Sequence, residues 1–374
     1  MPLSKIQDIG NQVVPNLGPN RNLIINGAMQ IAQRGTSATG IGVTPAYNTV
    51  DRWRFADANN PTGRFTQTQS TDAPDGFAFS HKFEVTTIDD ATSDNEMQYT
   101  DQFIEAQNLQ ILDYGTSNAR TITLSFYVKS SVASTMGVRF SHEDGGGSYG
   151  ASYTINSVNT WERKSITVPG NTATAINNDN GRGMSIRFGL NIGATYAGAG
   201  SNSTAWGNGK LFGAHTNTFV GTSGATWQIT GVQLEVGSSA SEFEHEPFES
   251  ALSKCQRYLQ VFGTDNVQVA GWGMTRAASN NFVSFPLVKA LRATPTVSVQ
   301  GGKVRFTAEG SQLEGSDNTI VINGITPSVY YGNNSSNVVT LQYDGDTGPN
   351  TTINSQTIGF MTNSNVEILF SSEL

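Results

Sequence analysis

The stretch WQITGVQLEV, residues 227–236, decides the fold of this chain. Apolar and polar residues alternate along it, which is typical of an antiparallel strand with one buried face and one wet face. The apolar positions are odd before Gly231 and even after it: Trp227, Ile229, Val232, Leu234 and Val236. Without an adjustment, half of these side chains would point to the wrong face, because side chains alternate strictly along a strand. The sequence therefore predicts a long strand with a β-bulge at Gly231.

Short runs of the same alternation fill most of the chain before this strand. Turn signals such as Asp144-Gly145 and Asn180-Gly181 separate the runs. We therefore expect an all-β protein built from antiparallel sheets that pack as a sandwich. The longest run comprises Met184, Ile186, Phe188, Leu190 and Ile192.

The composition agrees with this fold class and limits the partners. Of the 374 residues, 14% are charged and 40 are glycines, which suits short strands and turns better than helices. The net charge of −8 would be repelled by a phosphate backbone, so we expect no nucleic-acid partner. The single cysteine excludes an intrachain disulfide, and no apolar run is long enough for membrane insertion.

Four regions are predicted along the chain. Residues 1–21 contain several prolines and only scattered apolar residues, which indicates an extended N-terminal arm that anchors the protein. Residues 22–246 form the main sandwich, and residues 247–263 form a linking helix. Residues 264–374 return to alternating strands and form a second, smaller β-sandwich.

The helix prediction depends on the spacing of apolar residues. Pro247 suits a first helical turn, and Gly263 can end the helix. Cys255 lies within the apolar stripe, so we interpret it as a small buried core residue. Tyr258 and Phe262 lie off the stripe, and we hypothesise that a threefold subunit contact covers them. The stripe consists of Phe248, Leu252, Cys255 and Leu259.

No pattern in the sequence predicts a catalytic residue or a metal site. The histidines lack ligand spacing, and acidic pairs such as Glu143-Asp144 are interpreted as turn or surface residues. The loops at 177–181 and 344–346 are rich in the oxygen ligands that calcium prefers. Their spacing does not match a calcium loop, so plain turns are favoured and structural calcium is the weaker alternative. We expect a non-enzymatic protein without a cofactor.

Three aromatic residues are the best candidates for ligand binding. Tyr149, Tyr196 and Trp206 lie in stretches rich in Gly, Ser and Asn, where few residues could bury them. Flat rings beside amide and hydroxyl groups suit the apolar faces and hydroxyls of sugars. Subunit contacts are the competing interpretation.

Several motifs have a recognisable order. The chain carries NLIINGAMQIAQRGTS at 22–37 and DRWRF at 51–55, and later GVQLEVG, EFE and CQRYL within 231–259. These motifs resemble the opening and closing signatures of jelly-roll domains in bacteriophage tail-fibre and related virion proteins. Between them, TLSFYVKSS and NTWERKSITVPG resemble the core of a carbohydrate-binding-like sandwich. The resemblance covers residues 22–300, and the final EILFSSEL echoes it.

This resemblance implies a phage virion appendage, either a tail fibre or a tail-associated receptor-binding protein. Such a protein would be made in the host cytoplasm, assemble as a homotrimer on the virion surface, and adhere to host surface glycan for attachment. The arm at 1–21 would dock on other virion proteins. The main alternative is a purely structural virion protein, such as a capsid decoration, head fibre or tail adaptor, without a ligand. A glycan depolymerase is a third, disfavoured alternative.

The motif residues also have structural interpretations. Arg34 and Asp51 are candidates for an ion pair that ties the entry segment to the first strand. Trp53 would fill one end of the sandwich. We interpret these as roles in the scaffold rather than in binding.

Overall fold

The computed structural model describes most of the first two-thirds of the chain and separate segments of the rest. Side chains beyond Gly263 are described only for residues 284–298 and 367–374. The predicted arm lies outside the described residues except for its last two, Asn20 and Arg21. The described residues are 20–198, 203–207, 209, 211–263, 269–277, 280–300, 304–307, 319–322, 328–331, 338–344, 357–362 and 367–374.

The chain divides into two compact units. Unit 1 comprises residues 1–30 and 35–246, and unit 2 comprises residues 31–34 and 247–374. In the described part of the chain, no helix is long and apolar enough to cross a membrane.

The described residues of unit 1 form twelve strands and one short 3₁₀-helix, Ala106–Leu112. The strands are β1 (Ser37–Ile41), β2 (Ala46–Tyr47), β3 (Arg54–Ala58), β4 (Arg64–Ser70), β5 (Ser80–Thr87), β6 (Met97–Glu105), β7 (Ile122–Ser130), β8 (Thr135–His142), β9 (Gly147–Thr154), β10 (Glu162–Val168), β11 (Arg182–Ile192) and β12 (Thr226–Val236).

These strands form two antiparallel six-stranded sheets. Sheet A has the order β1-β4-β5-β12-β7-β10, and sheet B has the order β2-β3-β6-β11-β8-β9. The alternating apolar residues of both sheets meet in one core, in which Trp53, Trp227 and Phe188 are fully buried. The predicted all-β, jelly-roll-type sandwich is confirmed, and Trp53 is a core residue as expected.

The predicted bulge in β12 is also confirmed. The register between β12 and β7 shifts between Thr230 and Gln233, and Gly231 has a φ of 60°. Glycine reaches this left-handed region without the steric penalty of a side chain. Because of the shift, apolar residues of opposite parity, Trp227 before the bulge and Leu234 after it, are both buried in the same core.

The bulge changes the neighbour of β12 on one side. Before it, β12 pairs with β5, from Thr226 to Ile229. After it, the Val232 amide donates to the carbonyl of Gly27 (3.0 Å), and the Leu23 amide donates to the carbonyl of Leu234 (2.9 Å). A side chain on Gly27 would collide with the carbonyl of Val232. The opening and closing motifs of the sequence are therefore direct neighbours.

Acidic and amide side chains complete this junction. One Glu244 carboxylate oxygen accepts the amide of Asn20 (2.7 Å), and the other accepts the amide of Asn22 (2.8 Å). The Glu244 amide in turn donates to Oε1 of Gln233 (2.7 Å). We call residues 20–27 together with 231–244 the entry–exit clamp.

In the segments of unit 2 that the structure describes, the chain forms one α-helix and ten strands. The helix α1 spans Phe248–Gln256. One sheet has the order β13-β22-β16, and the other has the order β18-β17-β21-β14-β15-β20-β19. The strands are β13 (Leu259–Phe262), β14 (Val269–Ala277), β15 (Asn280–Pro286), β16 (Thr296–Gln300), β17 (Val304–Thr307), β18 (Thr319–Ile322), β19 (Ser328–Tyr331), β20 (Val338–Asp344), β21 (Thr357–Thr362) and β22 (Glu367–Ser371).

The linking helix is shorter than predicted. The prediction of a helix over 247–263 is wrong beyond Gln256, because residues Leu259–Phe262 form β13 and pair with β22. The sequence there also fits a strand, since Leu259 and Val261 alternate. Pairing with a strand more than a hundred residues later outweighs the local helical spacing.

The predicted apolar stripe is only partly buried. Cys255 is buried, with 1% of its surface exposed, as predicted. Phe248, in contrast, is 56% exposed, and the second fully buried residue of α1 is Ala251 rather than Leu252. Shortening the helix moves Leu259 from the stripe into a strand.

The residues assigned to a threefold contact have cover within the chain. Tyr258 is 1% exposed, and its carbonyl accepts the amide of Ser372 (2.7 Å). Phe262 is half-buried and packs edge-on against Phe370, with ring centroids 5.5 Å apart. Tyr258 is therefore buried without a second subunit, which contradicts the premise of the threefold contact for this residue. Phe262 is half-buried by its own chain, and its part in a subunit contact stays a prediction.

Arg34 has an acidic neighbour that the sequence analysis did not name. Its Nη1 lies 3.4 Å from a carboxylate oxygen of Glu373, and its Nη2 donates to Oγ of Ser371 (3.3 Å). Arg34 and Glu373 both belong to unit 2, whereas Asp51 belongs to unit 1. Glu373 is therefore an acidic partner of Arg34, and the ion pair of Arg34 with Asp51 stays a prediction. The backbone carbonyl of Asp51 accepts from Nδ2 of Asn26 (3.0 Å).

Candidate functional site

Two of the three predicted ligand-binding aromatics pack against the core. Tyr149 lies on β9, is buried, and contacts Phe140 and Trp206. Trp206 is half-buried, and its indole nitrogen donates to the carbonyl of Pro169 (2.7 Å). The expectation that few residues could bury these rings is therefore wrong for Tyr149. Trp206 does lie outside the strands, but its ring packs against the core.

Tyr196 lies in a different environment. It is half-buried and packs, with Phe212, against a small apolar cluster that includes Tyr99 and Ile192. Tyr99 lies on β6 of sheet B and points away from the main core. The structure therefore separates Tyr196 from Tyr149 and Trp206 and places it beside the outer face of sheet B.

Sheet B turns alternate residues of each strand toward this outer face. On β11, Met184, Ile186 and Phe188 point into the core, so Ser185 and Arg187 point outward. The strand register aligns one outward residue from each of five neighbouring strands. We call this line the arginine row: Arg54 on β3, Asp101 on β6, Arg187 on β11, Arg139 on β8 and Gly150 on β9.

Two of the three arginines in the row are paired with carboxylates. Arg54 donates from Nε (3.0 Å) and Nη2 (2.7 Å) to the two oxygens of Asp101, a bidentate pair. Burial lowers the pKa of Arg54, but the hydrogen bond and charge of Asp101 outweigh it, and the pKa ends well above its usual value. Arg187 donates from Nη2 to Glu143 (2.9 Å) and approaches Asp101 at 3.7 Å.

Aromatic rings fill the spaces beside these charges. The guanidinium of Arg54 lies 4.5 Å from the ring centre of Phe103, and that of Arg182 lies 4.1 Å from it. Arg187 lies 5.3 Å from the ring centre of Tyr99, whose phenol pKa is raised by burial. Such cation–π contacts hold the arginine side chains in fixed positions on the sheet.

The sequence patterns considered for metals resolve into turns where the structure describes them. Within the described residues, no group of three His, Cys, Asp or Glu side chains could hold a metal ion. In the 177–181 loop, a carboxylate oxygen of Asp179 accepts the amide of Gly181 (2.8 Å), a turn contact. Of the 344–346 loop, the structure describes only Asp344.

The arginine row was missed by the sequence analysis, although part of the signal was present. The alternation that placed Ile186 and Phe188 inside also placed Arg187 outside, and the same reasoning applies to Arg139 between Val138 and Phe140. The adjacency of Arg54, Arg187 and Arg139 depends on pairing between strands far apart in sequence. Glu143, interpreted as a turn residue, does lie in a turn but also anchors Arg187 and Ser185.

The chain resembles known proteins only in the fold of solved structures. No protein-family model and no curated protein matches the chain. Among solved structures, the enzymatically active domain of tailspike protein 4 of bacteriophage CBA120 is 14% identical, with a TM-score of 0.32, over 59% of this chain and only 22% of that one. A carbohydrate-binding module, TmCBM61 in complex with β-1,4-galactotriose, is 11% identical, with a TM-score of 0.29, over 58% of this chain and 99% of the module.

A third similar structure is a putative sugar binding protein from Bacteroides thetaiotaomicron. It is 12% identical to this chain, with a TM-score of 0.33, and the match covers 58% of this chain and all of that one, 100%. These identities and scores are too low to support a statement about what the chain binds. The functional interpretation therefore depends on the site itself.

Proposed function

We propose that this chain is a non-enzymatic appendage protein of a bacteriophage particle and that it adheres to host surface glycan through the outer face of sheet B. The observation that carries the proposal is the arginine row with its flanking rings, Tyr99 and Tyr196. Sugars present hydroxyls to hydrogen-bonding side chains and apolar ring faces to aromatics, and this face offers both within one sheet.

The chemistry of the row favours binding over cleavage. Glycoside hydrolysis requires two carboxyl groups placed on either side of the bond to be broken. The two carboxylates here, Asp101 and Glu143, each accept hydrogen bonds from an arginine. Both carboxylates are thus engaged with arginines, an arrangement that differs from the two facing carboxyl groups that glycoside hydrolysis uses.

Glycan binding can be tested with the purified full chain on an array of neutral and acidic bacterial glycans. We expect retention of at least one glycan class, and a loss of about tenfold for Tyr196→Ala, the size of one lost aromatic stacking contact. Trp161→Ala is the matched control, because Trp161 is half-buried beside β10 of sheet A. No binding to any glycan, or an equal loss in both variants, would contradict the proposal.

Attachment to the particle is a separate part of the proposal. We propose that residues 1–19 dock on another virion protein and that the chain assembles as a trimer. Asn20 and Arg21 are excluded from this arm, because both already bond to the clamp at Glu244 and Glu242. A chain lacking residues 1–19 should fold normally, as judged by circular dichroism, and fail to enter particles. Incorporation at the wild-type level would rule out the arm, and a monomer by light scattering would rule out the trimer.

A further inference from the structure

Arg139 is the arginine of the row that forms no ion pair with a carboxylate of the described residues. It lies on β8, directly opposite Arg187 on one side and Gly150 on the other. Only 6% of the residue is exposed. Its Nε and Nη1 atoms are enclosed and have no hydrogen-bond partner among the described residues, which leaves Nη2 as the nitrogen that a ligand oxygen can approach.

A second polar atom beside it is in the same state. Ser141, two residues further along β8, also points to the outer face and is 3% exposed. Its Oγ is enclosed and has no hydrogen-bond partner in the part of the chain that the structure describes. The neighbouring outward serines do have partners: Ser185 donates to Glu143 (2.6 Å), and Ser148 donates to the carbonyl of Gly209. Arg139 and Ser141 on β8 thus differ from these neighbouring serines, because they have enclosed polar atoms that form no hydrogen bond among the described residues.

The charges of the row do not balance in the described part of unit 1. Three arginines, Arg54, Arg139 and Arg187, share two carboxylates, Asp101 and Glu143. Asp101 is held bidentately by Arg54, and Glu143 lies 2.9 Å from Arg187. Two like charges opposite each other on adjacent strands destabilise a sheet unless an anion joins them.

Arg139 remains charged in spite of this environment. Burial first, and then the charge of Arg187, lower its pKa to about 10, while Glu143, Tyr99 and Tyr196 act in the opposite direction. At neutral pH the guanidinium is therefore protonated. A protonated, largely buried guanidinium without a partner is costly, and an incoming anion removes that cost.

We propose that Arg139 binds, through Nη2, a negatively charged oxygen group carried by a sugar, so that the ligand of this face is an acidic glycan. This inference rests on the proposed glycan-binding function and names its ligand class. A sugar carboxylate fits best, because guanidinium matches carboxylate geometry and the same row already holds two such pairs. Sulfate and phosphate esters share the chemistry. Although the whole chain carries −8, the local surplus of one arginine makes this patch attractive to an anion.

The test uses the full chain on a glycan array that presents neutral glycans beside the same glycans bearing uronate, sulfate or phosphate. We expect the acidic forms to be retained at least about tenfold better than the neutral parents, as for a charge-assisted contact. Arg139→Met should abolish that preference. The matched control is Arg120→Met, because Arg120 forms an exposed ion pair with Asp113 elsewhere in unit 1.

A second readout keeps the test independent of any single glycan. Glucuronate should shift the side-chain NMR signal of the Arg139 Nε–H group, whereas the neutral methyl ester of glucuronate should not.

Equal retention of acidic and neutral glycans, or a preference that persists in Arg139→Met, would overturn the inference. If only neutral glycans bind and Tyr196→Ala weakens them, the proposed function stands and this inference fails; if no glycan binds, the proposed function itself fails. Comparing retention on the uronate, sulfate and phosphate glycans of the array identifies which acidic group of the sugar is bound.

Discussion

The entry–exit clamp and the arginine row both place charged and amide side chains on the sheets of unit 1, but they differ in how these groups are satisfied. In the clamp, Glu244 accepts two backbone amides and Gln233 accepts a third. On the outer face of sheet B, Arg139 and Ser141 have enclosed polar atoms without a hydrogen-bond partner among the residues that the structure describes. In the clamp, the enclosed Nε of Arg21 also lacks a hydrogen bond, but it lies 3.9 Å from a carboxylate oxygen of Glu235. In the described part of unit 1, Arg139 has no such carboxylate, so the row has hydrogen-bonding capacity left for a ligand.

This difference separates two kinds of sequence motif. The motifs that resemble phage virion proteins, such as NLIING and GVQLEV, build the clamp and hold the two ends of unit 1 together. Those motifs therefore account for the fold. The row that we propose as the binding site lies outside them, so two chains with the same clamp could carry different rows. Four predictions test this division, from the largest expected effect to the smallest.

Substitution at the bulge should be the most damaging. In Gly231→Ala, the new Cβ would lie 2.7 Å from Cζ of Phe77 and 2.9 Å from Cδ2 of Tyr127, at a φ of 60°. Overpacking and the left-handed backbone together should cost about 3 kcal/mol of unfolding free energy. Urea denaturation followed by tryptophan fluorescence measures it.

Gly224 provides the matched control for this prediction. It has a φ of 70°, but no atom lies within 4 Å of an added Cβ. Gly224→Ala should therefore lower the unfolding free energy only through the left-handed backbone conformation, by about 1 kcal/mol. Equal losses at the two positions would mean that packing around the bulge contributes nothing.

The bulge also indicates how much the sequence could predict. The switch of apolar residues from odd to even positions is visible within ten residues, because alternation along a strand is a local property. The prediction of the bulge was therefore correct. The end of α1 was predicted wrongly, because residues 257–262 satisfy both a helical stripe and strand alternation, and the distant β22 decides between them. The arginine row needed the register of β3, β6, β11, β8 and β9, which local spacing does not contain. Tyr149 was misplaced for the same reason, since its burial comes from Phe140 across the sheet.

The second prediction concerns a satisfied arginine of the row. Arg187→Met should lower the unfolding free energy by about 2 kcal/mol, because it leaves Glu143 without its cation and removes one of two from Asp101. The loss should stay below that of a fully buried pair, since Glu143 is partly exposed and water can reach it. Thermal unfolding by calorimetry measures it, and an unchanged melting temperature would show that this pair does not stabilise the sheet.

The third prediction concerns the clamp. Glu244→Gln keeps one acceptor for the amides of Asn20 and Asn22 but turns an NH₂ group toward the other, so we expect a loss of about 1 kcal/mol. Amide hydrogen exchange should speed up at residues 20–23 in particular. Glu242→Gln is the control, because the Glu242 side chain is exposed and pairs with a partly exposed Arg163. A loss in Glu242→Gln as large as that in Glu244→Gln would indicate a general charge effect.

The smallest expected effect has the opposite sign and distinguishes the two regions best. Arg139→Met retains most of the length of the side chain and removes a buried charge that has no carboxylate partner among the described residues. It also relieves the repulsion between Arg139 and Arg187, which helps to lower the pKa of Arg139. Replacing such a charge with an apolar side chain is commonly neutral or stabilising, so we expect a gain of about 0–1 kcal/mol in unfolding free energy. If Arg139 were part of the scaffold, as Glu244 is, the same change would lower the unfolding free energy of unit 1. Calorimetry on the wild type, Arg139→Met and Arg187→Met under the same conditions distinguishes this loss from the expected gain. A clear loss in Arg139→Met would place this residue with the clamp and remove the reason for assigning it to a ligand, whereas a gain would mean that the chain retains an arginine that its own fold does not require.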